Sequence, residues 1–98
     1  MLVHTVFFWL KPDVTDAQKA QFRAGLESLR AVECVKALYI GTPAPTDRPV
    51  VERSYSFAIT AIFEDLAAQD AYQVHPVHKA FVSRLSNLWT RVVVYDAQ

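Results

Sequence analysis

One cysteine stands among the 98 residues, so neither an intrachain disulfide nor a multi-cysteine zinc or iron–sulfur site can form. Cys34 reads as a small buried hydrophobe. Lys36 is near it in sequence, but on a strand or turn nothing aims the ammonium at the sulfur. Net charge is missing too: ten Lys and Arg balance ten Asp and Glu, which leaves no long-range field to draw nucleic acid or an anionic membrane. No apolar run approaches the ~20 residues that a membrane-spanning helix needs. The first ten residues are apolar, yet His4 interrupts them, and neither a basic leader nor a small-residue cleavage site accompanies them. They read as a strand rather than a signal peptide, which makes the cytoplasm the expected location. Internal repeats and low-complexity segments are absent as well.

What the chain has is apolar residues, 52% of the total, enough for one compact core but not two. A single domain over residues 1–98 is expected. A domain of this size buries roughly 60% or a little more of the surface its unfolded chain exposes, so a large cavity in a lone subunit would leave little packing to support it. Self-association is a natural expectation.

Leu2 to Leu10 is rich in Val, Phe and Trp and stops at Lys11-Pro12-Asp13, as a strand does. Both of its faces are apolar: Leu2, His4, Val6, Phe8 and Leu10 on one side, Val3, Thr5, Phe7 and Trp9 on the other. Thr15-Asp16-Ala17-Gln18 has the form of a capping box, and Phe22, Leu26 and Leu29 then carry an apolar helical stripe to about Val32. Gly25 inside that helix costs ~1 kcal/mol relative to Ala, which points to a close backbone approach. Val35 to Gly41 reads as a second strand, the proline-bearing segment Thr42 to Arg53 as a loop, and Ser54 to Phe63 as the best-alternating strand. Asp65 caps a helix running to Tyr72, Pro76 opens another through Phe81, Leu85 and Leu88, and Trp89 to Asp96 gives a last strand. With the two helical pieces taken as one kinked element, the order is β-α-β-β-α-β, an α+β, ferredoxin-like unit with both helices on one face of a four-stranded antiparallel sheet. The bare face, bearing Val3, Phe7 and Trp9, predicts a homodimer closed sheet to sheet into a barrel-like core.

Chemistry concentrates in Tyr72-Gln73-Val74-His75-Pro76-Val77-His78, which holds two of the three histidines and a tyrosine around a proline. If Pro76 opens a helix, His78 falls in its first turn and Tyr72 just before the break, so the two can face one pocket across a kink. There His78 serves either as a neutral base or as a structural ring. Tyr72 either covers the core or holds a substrate carbonyl and its developing negative charge. His75 is expected to bond backbone groups freed at the kink. No metal site is expected, because Pro76 leaves the two imidazoles free to point apart and Asp70 is the only carboxylate nearby in sequence. His4 is a pocket wall residue or a core histidine bonded to a carbonyl, and Asp96 is placed to orient His78. Phe22, Phe57, Phe81 and Trp89 suit a core as well as an apolar ligand cavity.

Together the opening Val3-His4-Thr5-Val6 strand, the Lys11-Pro12 stop and the His75-Pro76-Val77-His78 corner resemble the stress-responsive α/β-barrel (Dabb) family over essentially the whole chain. The resemblance implies a ferredoxin-like subunit in a dimeric α/β barrel. It extends distantly to a plant polyketide cyclase that forms olivetolic acid by cofactor-free aldol cyclisation, in which a Tyr and a His act together. By that resemblance Tyr72 and His78 are the catalytic pair, with no cofactor, and His4 and Asp96 are its first-strand and last-strand partners. Phe22, Leu26, Phe57, Ile59 and Trp89 complete the expected substrate-binding wall. The chain departs from the cyclase at Phe57, where the cyclase has another histidine, and at Arg23, which replaces an apolar pocket residue. The implied function is a pocket between sheet and helices for a small apolar or aromatic oxygenated molecule, with proton transfer as the chemistry. A non-enzymatic stress-response or ligand-binding role and a cofactor-independent monooxygenase are the rival expectations.

Overall fold

The computed structural model describes residues 1–98. It consists of strand β1 (Leu2–Leu10), helix α1 (Asp16–Ser28), strands β2 (Ala37–Gly41) and β3 (Phe57–Phe63), helices α2 (Leu66–Gln73) and α3 (Pro76–Leu85), and strand β4 (Trp89–Ala97). Short 3-10 turns follow α1 and α3, at Leu29–Ala31 and Ser86–Leu88. The strands form one antiparallel sheet in the order β2-β3-β1-β4. This is the expected ferredoxin-like α+β arrangement, with its second helical element broken in two.

Side-chain alternation decides which face the helices cover. His4, Val6 and Phe8 of β1 and Phe57, Ile59, Ala61 and Phe63 of β3 are buried, while their neighbours in sequence are only half covered. Onto that face α1 delivers Phe22 and Leu26, both fully buried. The Phe22 ring meets Phe8, Phe57 and Phe81 at centroid distances of 5.1, 5.4 and 5.7 Å. Each such pair adds about 0.5–1.5 kcal/mol beyond the area it buries, so this aromatic cluster anchors α1 and α3 to the sheet.

The helix starts follow from their first residues. The Thr15 hydroxyl accepts from the Gln18 N–H at 3.1 Å while the Gln18 side chain accepts from the Thr15 N–H at 2.9 Å, completing the capping box. Asp65 accepts from the Ala68 N–H at 2.9 Å and so starts α2. Gly25 allows the close approach expected of it: a Cβ there would run into Leu85 Cδ1 and lie 3.1 Å from Phe81 Cδ1.

Some boundaries differ from the sequence expectation. β2 begins at Ala37 rather than Val35, because the Val35 N–H is tied into a turn by the Val32 carbonyl at 3.1 Å. β3 begins at Phe57 rather than Ser54. Next to the irregularity of the β1–β4 pairing at Trp9 and Leu10, two serine hydroxyls tie this segment to β1: Ser56 Oγ accepts from the Leu10 N–H at 2.9 Å, in place of a ladder bond, and Ser54 Oγ accepts from the Trp9 indole Nε1–H at 2.8 Å. α1 ends at Ser28 and gives way to the 3-10 turn before Val32.

Two surfaces are left uncovered. No helix of this chain lies over the far side of the sheet, where the Phe7 ring meets those of Tyr55 and Tyr95 at 5.0 and 6.2 Å. On the helix side, α2 and α3 meet only the two ends of β4, through Gln69 at Asp96 and Phe81 at Trp89, so Val92 and Val94 between them are 42% and 47% exposed although they share a face with buried Val6 and Phe8. No helix is long and apolar enough to cross a membrane.

Candidate functional site

The break between α2 and α3 builds the site. A residue before proline avoids helical backbone angles, and His75 accordingly stands extended at φ −64°, ψ 139°. Its Nδ1 accepts from the Val77 N–H at 3.1 Å and caps α3, so its proton resides on Nε2, which donates to Glu33 at 3.1 Å. Both nitrogens of His75 are thus engaged in holding the corner, the structural role expected of this ring.

Across the corner, Tyr72 in the last turn of α2 and His78 in the first turn of α3 come together with ring centroids 4.5 Å apart. His4 of β1 faces Tyr72 at 6.0 Å. These three rings form the polar end of a hollow of about 160 Å³, backed by Val6, Phe8, Ile59, Phe81 and Trp89 and opening past Val82, Val92 and Val94. The uncovered β4 face is therefore the mouth of the site. A larger groove of about 590 Å³ runs between α1 and α3, but Arg84 is its only ionisable lining residue. The smaller hollow holds the acids and bases.

Hydrogen bonding fixes each ring. His78 Nδ1 lies 3.2 Å from the Gln73 carbonyl, which can only accept, so Nδ1 carries the proton and Nε2 presents a lone pair. Burial holds the His78 imidazole below its ordinary pKa, outweighing the bond to Gln73, and nearby His4 acts in the same direction as burial. The ring is therefore a neutral base at pH 7. His4 Nδ1 likewise donates to Asp96 Oδ1 at 2.6 Å, and the Gln69 amide donates to the other carboxylate oxygen at 3.1 Å. Burial opposes ionisation of Asp96, but the bonds from Gln69 and His4 prevail and hold its carboxyl below the usual range. The Tyr72 phenol is pushed up to about 12, mainly by burial and secondarily by Cys34. It stays protonated at neutral pH, which leaves its hydroxyl hydrogen available to donate.

Of the residues expected at the site, His4, Ile59, Tyr72, His78 and Trp89 line the hollow. Phe22, Leu26 and Phe57 do not: they face the α1 side of the sheet and pack into the core. Asp96 orients His4 rather than His78, because the β1–β4 register sets it directly opposite His4. Arg23 is exposed on the outside of α1. The sequence reading missed Gln69 and Gln73. Gln69 had a signal, since a buried polar residue one helical turn before Tyr72 shares its face. Gln73 had none, because any residue there supplies a backbone carbonyl. No cluster of three or more His, Cys, Asp or Glu is arranged to hold a metal ion.

The pattern of the stress-responsive A/B barrel domain, Dabb, matches residues 2–98. The chain belongs to the Dabb family. A comparison with curated proteins gave no match. Among solved structures, this Dabb domain is similar to a Dabb-family protein with a ferredoxin-like fold from Mesorhizobium loti, at 26% identity and a TM-score of 0.80, covering 99% of this chain and 94% of that one. It is also similar to a dimeric ferredoxin-like protein of unknown function from Thermobifida fusca, at 25% identity and TM-score 0.80, covering 98% and 88%. A hydroxynitrile lyase from Passiflora edulis shares the fold at 20% identity and TM-score 0.81, over 98% of this chain and 90% of the lyase.

Proposed function

We propose that this Dabb protein binds a small, oxygenated, largely apolar molecule in the hollow between sheet and helices and moves a proton on it without a cofactor. His78 Nε2 removes a proton from the carbon beside a carbonyl. The C–H electron pair becomes the carbon–carbon double bond of an enolate, the carbonyl π pair moves onto oxygen, and the Tyr72 hydroxyl donates to that oxygen. Return of a proton from the imidazolium completes the cycle. The observation that carries this reading is the meeting of a protonated phenol and a bare imidazole nitrogen, rings 4.5 Å apart, at the wall of one hollow. In its Tyr and His pair the arrangement resembles the polyketide cyclase. At about 160 Å³ the space is below the ~300–1,000 Å³ of common ligand sites, so the cyclase substrate is not assigned to it.

We infer that the active unit is a cytoplasmic homodimer joined through the uncovered sheet face. The apolar rings Phe7, Tyr55 and Tyr95 on that face support this, as does the dimeric description of the Thermobifida relative. A charge placed at its centre, Val93→Lys, is expected to give monomers in sedimentation velocity.

Proton transfer is tested by following loss of α-protons from aryl methyl ketones in deuterium oxide by NMR. Wild-type protein accelerates exchange, whereas Tyr72→Phe and His78→Ala dimers of normal stability do not. Equal exchange by wild type and both variants would refute the chemistry. Ketone binding in the complete absence of exchange would leave the second reading, a ligand-binding protein, which the apolar lining of the hollow favours.

A further inference from the structure

The donors and acceptors around the hollow describe its guest more narrowly than its shape does. Each of the two histidines has Nδ1–H committed, His78 to the Gln73 carbonyl and His4 to the Asp96 carboxylate. In the neutral form of each ring, Nε2 is thereby the acceptor. Gln69 Oε1 is the only sealed side-chain nitrogen or oxygen that lacks a partner, so His4 Nε2 and the Tyr72 hydroxyl, which have none within the chain, are not sealed. They belong to residues that are 4% and 1% exposed, and the space against both is the hollow. The wall thus offers one phenolic donor and two imidazole acceptors.

Charge and size add two limits. No Lys or Arg lines the hollow, while two imidazole rings do. A carboxylate or phosphate guest would meet repulsion with no counter-ion and would lose its hydration. Since a dry cavity of roughly 150 Å³ suffices for benzene, a space of about 160 Å³ with an open mouth takes a single ring and a short substituent, about ten non-hydrogen atoms.

We propose that the guest is an uncharged, single-ring hydroxyketone, with Tyr72 on the carbonyl oxygen, His78 at the acidic carbon and His4 accepting the hydroxyl. This assignment rests on the proton-transfer reading above and adds to it the hydroxyl, the neutrality and a role for His4. Only the proton described above is transferred; the hydroxyl remains protonated and hydrogen-bonded to His4. Asp96 and Gln69 are positioning residues in this scheme, since a ring free to turn would present Nδ1–H instead and reject the donor.

The test compares α-deuterium exchange for acetophenone, its three ring-hydroxylated isomers and 4-acetylbenzoate. At least one hydroxylated isomer is expected to exceed acetophenone by roughly tenfold in kcat/KM, the worth of one net hydrogen bond at the upper end of its range. The carboxylate is expected to be inert. His4→Phe, and independently Asp96→Asn should the first variant fold poorly, brings the hydroxylated-to-plain ratio toward one. Equal exchange of plain and hydroxylated ketones, exchange of the carboxylate, or a ratio that survives both variants overturns the hydroxyketone assignment and leaves the Tyr72 and His78 chemistry standing. Absence of exchange with every ketone overturns both.

Discussion

Tyr72 is the sharpest point at which the folded state commits itself, and alkaline titration measures that commitment. In the unfolded chain its phenol ionises near the ordinary value of 10, whereas in the folded protein burial delays ionisation to about 12. Below pH 10 both states keep the proton, and the full native stability is present. Between those values the unfolded chain has released a proton that the folded chain retains, so stability falls as pH rises. At ~1.4 kcal/mol per pH unit, the loss reaches about 2 kcal/mol at pH 12 and levels off at ~3 kcal/mol above it. Tyr72→Phe removes this contribution while keeping the ring contacts with His4, Phe63 and His78. Because no hydrogen bond within the chain holds the hydroxyl, the variant should lie within about 1 kcal/mol of wild type at pH 7. The assay is urea unfolding of both proteins from pH 8 to 12, with tyrosinate absorbance followed in parallel. Identical alkaline slopes, or a Tyr72→Phe cost well above that bound at neutral pH, would refute the picture of a buried phenol with a free hydroxyl.

The remaining expectations concern the histidines and their partners. With its folded pKa depressed by burial, His78 protonates first in the unfolded chain, so its contribution to stability is present above pH 6.5 and lost as pH falls through the folded value. The acid limb of any exchange rate should likewise lie below 6.5, and a limb at or above it would contradict the neutral-base assignment. Asp96→Ala strands the buried His4 Nδ1–H and the Gln69 amide, costing about 1–3 kcal/mol by chemical denaturation; an unchanged midpoint would show that solvent replaces the carboxylate. His75→Ala removes the cap of α3 and should cost about 0.5–2 kcal/mol, whereas His75→Asn restores most of it. Equal melting of the two variants would argue against the cap.

Much of the fold was legible because periodicity follows from backbone geometry. A two-residue alternation in Leu2 to Leu10 and Phe57 to Phe63 assigns each side chain to a face whatever the strand pairs with, and the Thr15 and Gln18 box starts a helix using only local atoms. Boundaries were less legible where long-range bonds intervened, as at Ser54 and Ser56, whose hydroxyls serve β1 some 45 residues away in sequence. The site divides in the same way. The pairing of Tyr72 with His78 followed from proline's effect on its neighbours. The partner of Asp96 depended on a strand register that joins residues 92 apart in sequence.

The sequence by itself determined the order of elements, the alternation that divides β1 and β3 into two faces and the corner that sets a phenol beside an imidazole, because these depend on contacts within a few residues. Only the tertiary structure decided that Asp96 serves His4, that Phe22, Leu26 and Phe57 fill core rather than cavity, and that the hollow opens along β4. Those outcomes depend on which strands lie side by side and how far two helices reach across them, and no local pattern encodes such distances.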